Sequence, residues 1–112
     1  MCDKSLLDSL LMQVVDYSKE TFGDKLKNVI LYGSYARGDY DNESDIDVMI
    51  LVDMSPEELS KYRWDFSCFC ADLNIENNVL ITSKLQSRQL FEQWKNTLPF
   101  YKNVLKEGRV YA

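Results

Sequence analysis

The sequence predicts an α+β protein in which a small mixed β-sheet is packed with helices. Two observations support this fold class. Apolar residues recur with a helical period in four segments and form short strand-like runs in three others, in the order α-β-β-α-β-α-α. The 112 residues also leave no room for a second substrate-binding domain, so we expect a single domain over residues 1–112.

The first half of the chain predicts one helix and two strands. Residues 3–22 carry apolar side chains close to every 3.6 positions, which indicates an amphipathic helix. Residues 27–32 form a short apolar, β-branched run that stops at Gly33, as expected for a buried strand. A polar, glycine-bearing loop then leads into residues 45–53, the strongest strand signal in the chain.

A capping pattern predicts the next helix. Ser55 suits the N-cap, Pro56 the first helical position and Glu58 the capping-box position. The apolar spacing that follows carries this helix to about Leu73.

The C-terminal third predicts a last strand and two helices. Residues 77–82 resemble a strand in composition. Ser83 with Gln86 repeats the capping-box pattern, so we expect a helix to begin there and to be interrupted at Pro99. A short final helix covers residues 100–107.

Composition excludes several classes of function. A net charge of −5 argues against non-specific binding to nucleic acid, and the absence of histidine removes His general bases and His-ligated zinc. No apolar stretch is long enough to span a membrane. Three cysteines without a preceding secretory segment predict reduced thiols and a cytoplasmic protein.

Two aspartates are the strongest candidates for chemistry. Asp45 and Asp47 lie two positions apart on a predicted strand, so both side chains face the same side, about 6.6 Å apart. Such a pair can hold a hard divalent cation, as phosphoryl or nucleotidyl transfer requires. Asp45 could instead be a solvated strand start, whereas Asp47 lies inside an otherwise apolar run where an unpaired carboxylate is costly.

The segment after the first strand could hold phosphates. Gly33 allows close backbone approach, Ser34 offers a hydroxyl and an N–H, and Arg37 follows one helical turn later. Taken alone, Gly33 and Ser34 are more often a simple turn, and Arg37 could equally well pair with Asp39 or Asp41 on the surface.

These residues carry a resemblance to a known family. The string GSYARGDYDNESDID, with ten residues between Gly33-Ser34 and Asp45-Ile46-Asp47, resembles the minimal nucleotidyltransferase (MNT) group of the DNA-polymerase-β-like superfamily. The C-terminal segment FEQWKNTLPFYKNVLKEGRVYA resembles the end of the same proteins. The resemblance implies the polymerase-β-like fold, with Gly33, Ser34 and Arg37 binding ATP or another NTP. It also implies that Asp45 and Asp47 bind Mg²⁺, with two ions expected.

The superfamily usually places a third carboxylate on a later strand. The best alignment puts Asn78 at that position, with Glu76 two residues earlier and on the same face of the predicted strand. We therefore expect Glu76 to complete the catalytic set with Asp45 and Asp47. The alternative is a site that keeps nucleotide and Mg²⁺ but, with Asn78, has lost much of its rate.

The resemblance also implies a partner, because MNT proteins commonly pair with a HEPN-domain ribonuclease toxin. The function expected is Mg²⁺-dependent transfer of AMP, or another NMP, to a tyrosine hydroxyl of that toxin, with this chain as the antitoxin. The alternative is a catalytically weak nucleotide-binding antitoxin that neutralises its partner by direct contact. Transfer to a small molecule such as an aminoglycoside ranks last, since a homodimer would have to supply half of the site; both homo- and hetero-oligomers stay open.

Aromatic residues gather near the C-terminus and allow two interpretations, a core or a surface for bases or partners. Phe91 and Trp94 have core spacing on one predicted helix, so we expect both in the core, whereas Phe100 and Tyr101 follow a proline and are not assigned.

Overall fold

A four-stranded mixed sheet organises the protein, whose computed structural model describes residues 4–38 and 45–112. The strand order is β3-β2-β1-β4. Strand β2 runs antiparallel to β1 and parallel to β3, and β4 pairs antiparallel with β1. The strands are β1 (Leu26–Tyr32), β2 (Ile46–Val52), β3 (Ile81–Ser87) and β4 (Arg109–Val110). This architecture confirms the predicted α+β class.

Helices cover both faces of the sheet. They are α1 (Lys4–Phe22), α2 (Ser34–Arg37), α3 (Pro56–Ser60), α4 (Arg63–Asn77), α5 (Arg88–Trp94) and α6 (Pro99–Glu107), and a 3₁₀ turn (Gly23–Lys25) joins α1 to β1. Over the described ranges, none of these helices has the length and apolar character needed to cross a membrane.

The alternation of side chains along β2 divides the core into two layers. Even-numbered residues pack with α1 and α4, and odd-numbered residues face α5 and α6. Asp47 has odd parity, so its side chain projects on the α5–α6 side. The first layer includes Val48, Ile50, Leu11 and Phe66, and the second includes Met49, Leu51, Phe91 and Val104.

The first helix and the first two strands form where the sequence predicts them, within a residue or so. The capping box at Ser55 is confirmed, because its Oγ accepts a hydrogen bond from the Glu58 backbone N–H at 3.2 Å. The helix predicted from there is in fact two, α3 and α4, separated by a turn at Lys61 and Tyr62.

The third strand lies later than predicted. Helix α4 continues to Asn77 and ends at Asn78, which adopts the left-handed conformation with φ 52°. The Asn74 side chain then accepts a hydrogen bond from the Ile81 backbone N–H at 2.7 Å and so joins the helix end to the start of β3. Ser83 and Gln86 lie inside β3, so the helix start predicted there is wrong; α5 begins at Arg88.

Candidate active site

The candidate site lies where β1 ends and β2 begins. Tyr32, the last residue of β1, stands directly opposite Asp47 in the antiparallel register. Gly33 then turns the chain into α2 with φ +76°, and its carbonyl accepts hydrogen bonds from the backbone N–H groups of Ala36 and Arg37, each at 3.1 Å. This turn returns the chain across the Asp47 carboxylate.

The Asp47 carboxylate lies against Gly33 itself. A side-chain carbon added at Gly33 would be 2.6 Å from Asp47 Oδ2, closer than real Cβ atoms come to any neighbour. Together with the positive φ, this close approach restricts the position to glycine. The fold therefore brings Gly33 and Asp47, two residues predicted to belong to the site, into direct contact.

Electrostatics at this point disfavour negative charge. Burial, and then the charge of Asp45, raise the pKa of Asp47, while Arg37 lowers it. Burial together with the Asp47 charge raises the pKa of Tyr32 to about 12. A cation at the Asp45–Asp47 pair would relieve these repulsions.

Asp45 and Asp47 are the residues that fit a metal ion here. Within the described residues no group of three or more His, Cys, Asp or Glu side chains forms a metal cluster. Mg²⁺ commonly uses one or two protein carboxylates and completes its octahedron with substrate phosphates and water. The pair thus suits a cation that is held jointly with a nucleotide, and its role as the metal site stays a prediction.

Arg37 has a distant partner. Its Nη1 atom lies 3.1 Å from Glu107 Oε2, so the ion pair joins α2 to the end of α6. The alternative partners considered from sequence, Asp39 and Asp41, lie outside the described residues. The side chain of Ser34 lies outside them too, although its backbone begins α2.

The predicted placement of Glu76 and Asn78 beside the aspartates is wrong. Glu76 is exposed in the last turn of α4, and α4 packs on the sheet face opposite to the Asp47 side chain. Asn78 ends that helix instead of lying in a strand. The residue of β3 in register with Asp47 is Thr82, so the neighbouring strand brings a hydroxyl where the resemblance implies a carboxylate.

Helix α6 supplies residues that the sequence did not assign to the site. Four of its side chains recur at i, i+3, i+4 and i+7 and line a pocket of about 170 Å³ beside Tyr32, Gly33 and Arg37. They are Phe100, Asn103, Val104 and Glu107. The i, i+3, i+4, i+7 spacing directly after Pro99 is the sequence signal that identifies this helix face.

Phe100 forms the aromatic wall of this pocket. Its ring packs edge-to-face on Tyr32 with centroids 5.6 Å apart, and the Lys84 ammonium lies 4.5 Å from its centroid. Phe91 is buried in the second layer, as predicted, whereas Trp94 is 39% exposed, which contradicts the core prediction for it.

The fold and the candidate site are those expected of a nucleotidyltransferase. Residues 11–111 match the nucleotidyltransferase domain family. The chain therefore belongs to that family and is a nucleotidyltransferase.

Two relatives from Methanocaldococcus jannaschii are similar in sequence, one over most of the chain and one over less than half of it. The protein named "Putative protein adenylyltransferase MJ0604" is 37% identical over 103 residues, which cover 92% of this chain and 95% of the relative. The similarly named MJ0141 is 52% identical over 59 residues, or 46% of this chain and 60% of its own length.

Solved structures share the fold. A toxin–antitoxin crystal structure with AMP-PNP superposes with a TM-score of 0.53 at 17% identity, covering 88% of this chain and 69% of that one. A mutant of the toxin–antitoxin MntA-HpeT gives the same values. The α+β fold with the nucleotidyltransferase sheet is thereby confirmed.

Proposed function

We propose that this protein is a Mg²⁺-dependent protein adenylyltransferase that transfers AMP from ATP to a hydroxyl of a toxin partner and acts as its antitoxin. The observation that carries this proposal is the packing of the Asp47 carboxylate against Gly33, with Asp45 close enough to raise the pKa of Asp47. The resemblance to MNT proteins implies that this turn holds the triphosphate, and the contact of Asp47 with Gly33 supports that role.

Each residue has a defined part in the proposed transfer. Gly33 and Ser34 hold the triphosphate, and Asp45 and Asp47 hold Mg²⁺, which neutralises phosphate charge and favours ionisation of the attacking hydroxyl. The acceptor oxygen forms a bond to the α-phosphorus as the bond between that phosphorus and the bridging oxygen breaks. Pyrophosphate leaves, and the hydroxyl proton passes to solvent, to which the exposed Asp45 opens the site.

The toxin partner is proposed from the relatives. Two relatives are named "Putative protein adenylyltransferase", and the structural neighbours are toxin–antitoxin assemblies, one of them with AMP-PNP. The acceptor that fits both, given the resemblance to MNT proteins, is a tyrosine of a HEPN ribonuclease toxin.

Intact-mass spectrometry tests the transfer directly. The protein is mixed with the product of the neighbouring gene, ATP and Mg²⁺, and compared with the Asp45→Asn, Asp47→Asn double variant. We expect the partner to gain one AMP with the wild-type protein alone, and peptide mapping to locate it on a tyrosine. If the mass of the partner stays unchanged although the protein is folded and binds ATP, the result would contradict transfer.

One observation favours a second candidate function. The residue of β3 beside Asp47 is Thr82, which is neutral, and β3 contains no Asp or Glu. Loss of a metal carboxylate reduces transition-state stabilisation more than ground-state binding. The second candidate is therefore an antitoxin that binds nucleotide and neutralises its partner by contact, and a stable complex without AMP addition in the same experiment would support it.

A further inference from the structure

We propose that the pocket between α6 and the end of β1 is the adenine subsite, in which Phe100 supplies the apolar contact and Asn103 selects adenine over guanine. This inference rests on the proposed function, since it assumes that the triphosphate is held at Gly33 and the aspartates. The Gly-Ser and Asp motif accounts for the phosphates and the metal ion of the nucleotide, and the pocket accounts for its base.

The pocket has the size of a nucleobase. Its volume is about 170 Å³, and a protein cavity of about 150 Å³ is known to accept benzene. A planar ring system thus fills it, while the ribose and phosphates project past the opening. Gly33 lies in the wall, so the pocket is continuous with the turn proposed to hold the triphosphate.

The lining is nearly neutral, which argues against a phosphate or a charged side chain as occupant. The two ionic residues in the wall, Arg37 and Glu107, neutralise each other across 3.1 Å. The other walls are Tyr32, Gly33, Phe100 and Val104, and the neutral polar side-chain groups are the Asn103 amide and the Tyr32 hydroxyl. Such a lining suits a neutral aromatic ring with a hydrogen-bonding edge.

Asn103 accounts for the choice of base. It is exposed, and the described residues include no hydrogen-bond partner for its side chain, so the amide oxygen and the NH₂ group are both available to a ligand. Adenine presents a ring-nitrogen acceptor beside an amino donor, which pairs with both amide groups at once. Guanine presents two acceptors on the equivalent edge, so one amide group would face a like partner.

The wall is held in place independently of the ligand. Val104 is buried beside Ile30 and Met49, which anchors α6 to β1 and β2. The edge-to-face contact between Phe100 and Tyr32 fixes the ring, and the Lys84 ammonium lies on Phe100 although Lys84 is not among the pocket residues. The subsite is therefore preformed, which lowers the entropic cost of binding a base.

Calorimetric titration of the full chain with Mg²⁺ tests the assignment, using ATP, GTP and inorganic tripolyphosphate as ligands. We expect Asn103→Ala to reduce the preference for ATP over GTP by about fivefold to tenfold, the value of one or two lost hydrogen bonds. Phe100→Leu should weaken ATP and GTP alike by about tenfold through lost stacking. Lys102→Ala, on the same helix but outside the pocket, is the control, and thermal unfolding verifies that each variant folds.

The tripolyphosphate arm separates this proposal from the proposed function. An unchanged ratio of ATP to GTP affinity in Asn103→Ala, with normal tripolyphosphate binding, would overturn the adenine subsite alone. If the wild-type protein binds none of the three ligands, the nucleotide site itself falls and the subsite with it.

Discussion

Gly33 and Asp47 are in such close contact that the backbone of one occupies the space beside the carboxylate of the other. A carbon added to Gly33 would lie 2.6 Å from Asp47 Oδ2. The turn after β1 and the carboxylate of β2 thus form a single structural unit. A larger side chain at Gly33 would displace the Asp47 carboxylate.

We expect Gly33→Ala to abolish most Mg²⁺-dependent nucleotide binding, with a loss of about tenfold or more, because the new methyl group displaces the Asp47 carboxylate. Gly38→Ala is the matched control, since Gly38 also has a positive φ, of +85°, but a methyl group added there would have no neighbour within 4 Å. Both variants carry a backbone cost of about 1 kcal/mol. Titration with ATP and thermal unfolding separate the two effects, and equal binding losses would contradict the role of the contact.

We expect Asp47→Asn to lose Mg²⁺-dependent nucleotide binding with little loss of stability. The pKa of Asp47 is raised in the folded protein, so its stability contribution is fully present below the unfolded value of 3.8 and is lost as the pH rises through the folded pKa. The variant, compared with wild type by urea unfolding, should therefore gain relative stability between acid and neutral pH. Undiminished nucleotide binding by this variant, with Asp53→Asn as the control, would contradict the site.

We expect Tyr32 to titrate near pH 12. Burial and the Asp47 charge raise its pKa to about 12. The unfolded chain ionises this residue near pH 10, before the folded protein does, so the folded state loses stability between about pH 10 and pH 12 and loses no more above that range. Phenolate absorbance of wild type minus that of Tyr32→Phe isolates the transition. Asp47→Asn should lower the pKa only in part, because burial is the larger cause; a Tyr32 component titrating near pH 10 in wild type would contradict the environment described.

We expect Thr82→Asp to strengthen metal binding, because it places a third carboxylate beside Asp47 in the parallel register of β2 and β3. Without Mg²⁺ the added charge should lower the unfolding temperature through repulsion of Asp47, and saturating Mg²⁺ should restore it. Thr82→Asn is the isosteric control and should show neither effect. A transfer rate that rises in Thr82→Asp would show that the third ligand limits the native enzyme, whereas a Mg²⁺-independent unfolding temperature would contradict the shared site.

The paired strands around the site could be predicted because their signals are local. The apolar run before Gly33 and the alternation around Asp47 each specify a strand and a buried face, and the structure has β1 and β2 there. The antiparallel pairing of these strands sets Tyr32 opposite Asp47 and so brings the next residue, Gly33, near that carboxylate. These elements needed no information from distant parts of the chain.

The third strand could not be predicted because its signal is not local. The sequence ITSKLQS alternates weakly and contains a capping-like Ser83, yet pairing along the whole of β2 makes it a strand. The αL conformation of Asn78 and the side-chain hydrogen bond of Asn74 set where α4 stops, four residues beyond the predicted end at Leu73. That shift moved Glu76 out of the site, and the partnership of Arg37 with Glu107, seventy positions away, was equally invisible to sequence patterns.

The two parts of the candidate site belong to segments of unequal local stability. Asp47 lies on β2, whose backbone is hydrogen-bonded to a strand on each side, whereas Phe100 and Asn103 lie on α6, which has one neighbouring layer and exposes most of its surface. Brief native-state openings of α6 would thus remove the pocket wall while the carboxylates keep their positions. Substitutions on the outer surface of α6 could then change how long a base stays bound without touching a catalytic atom, and amide hydrogen exchange would report the change in α6 rather than in β2.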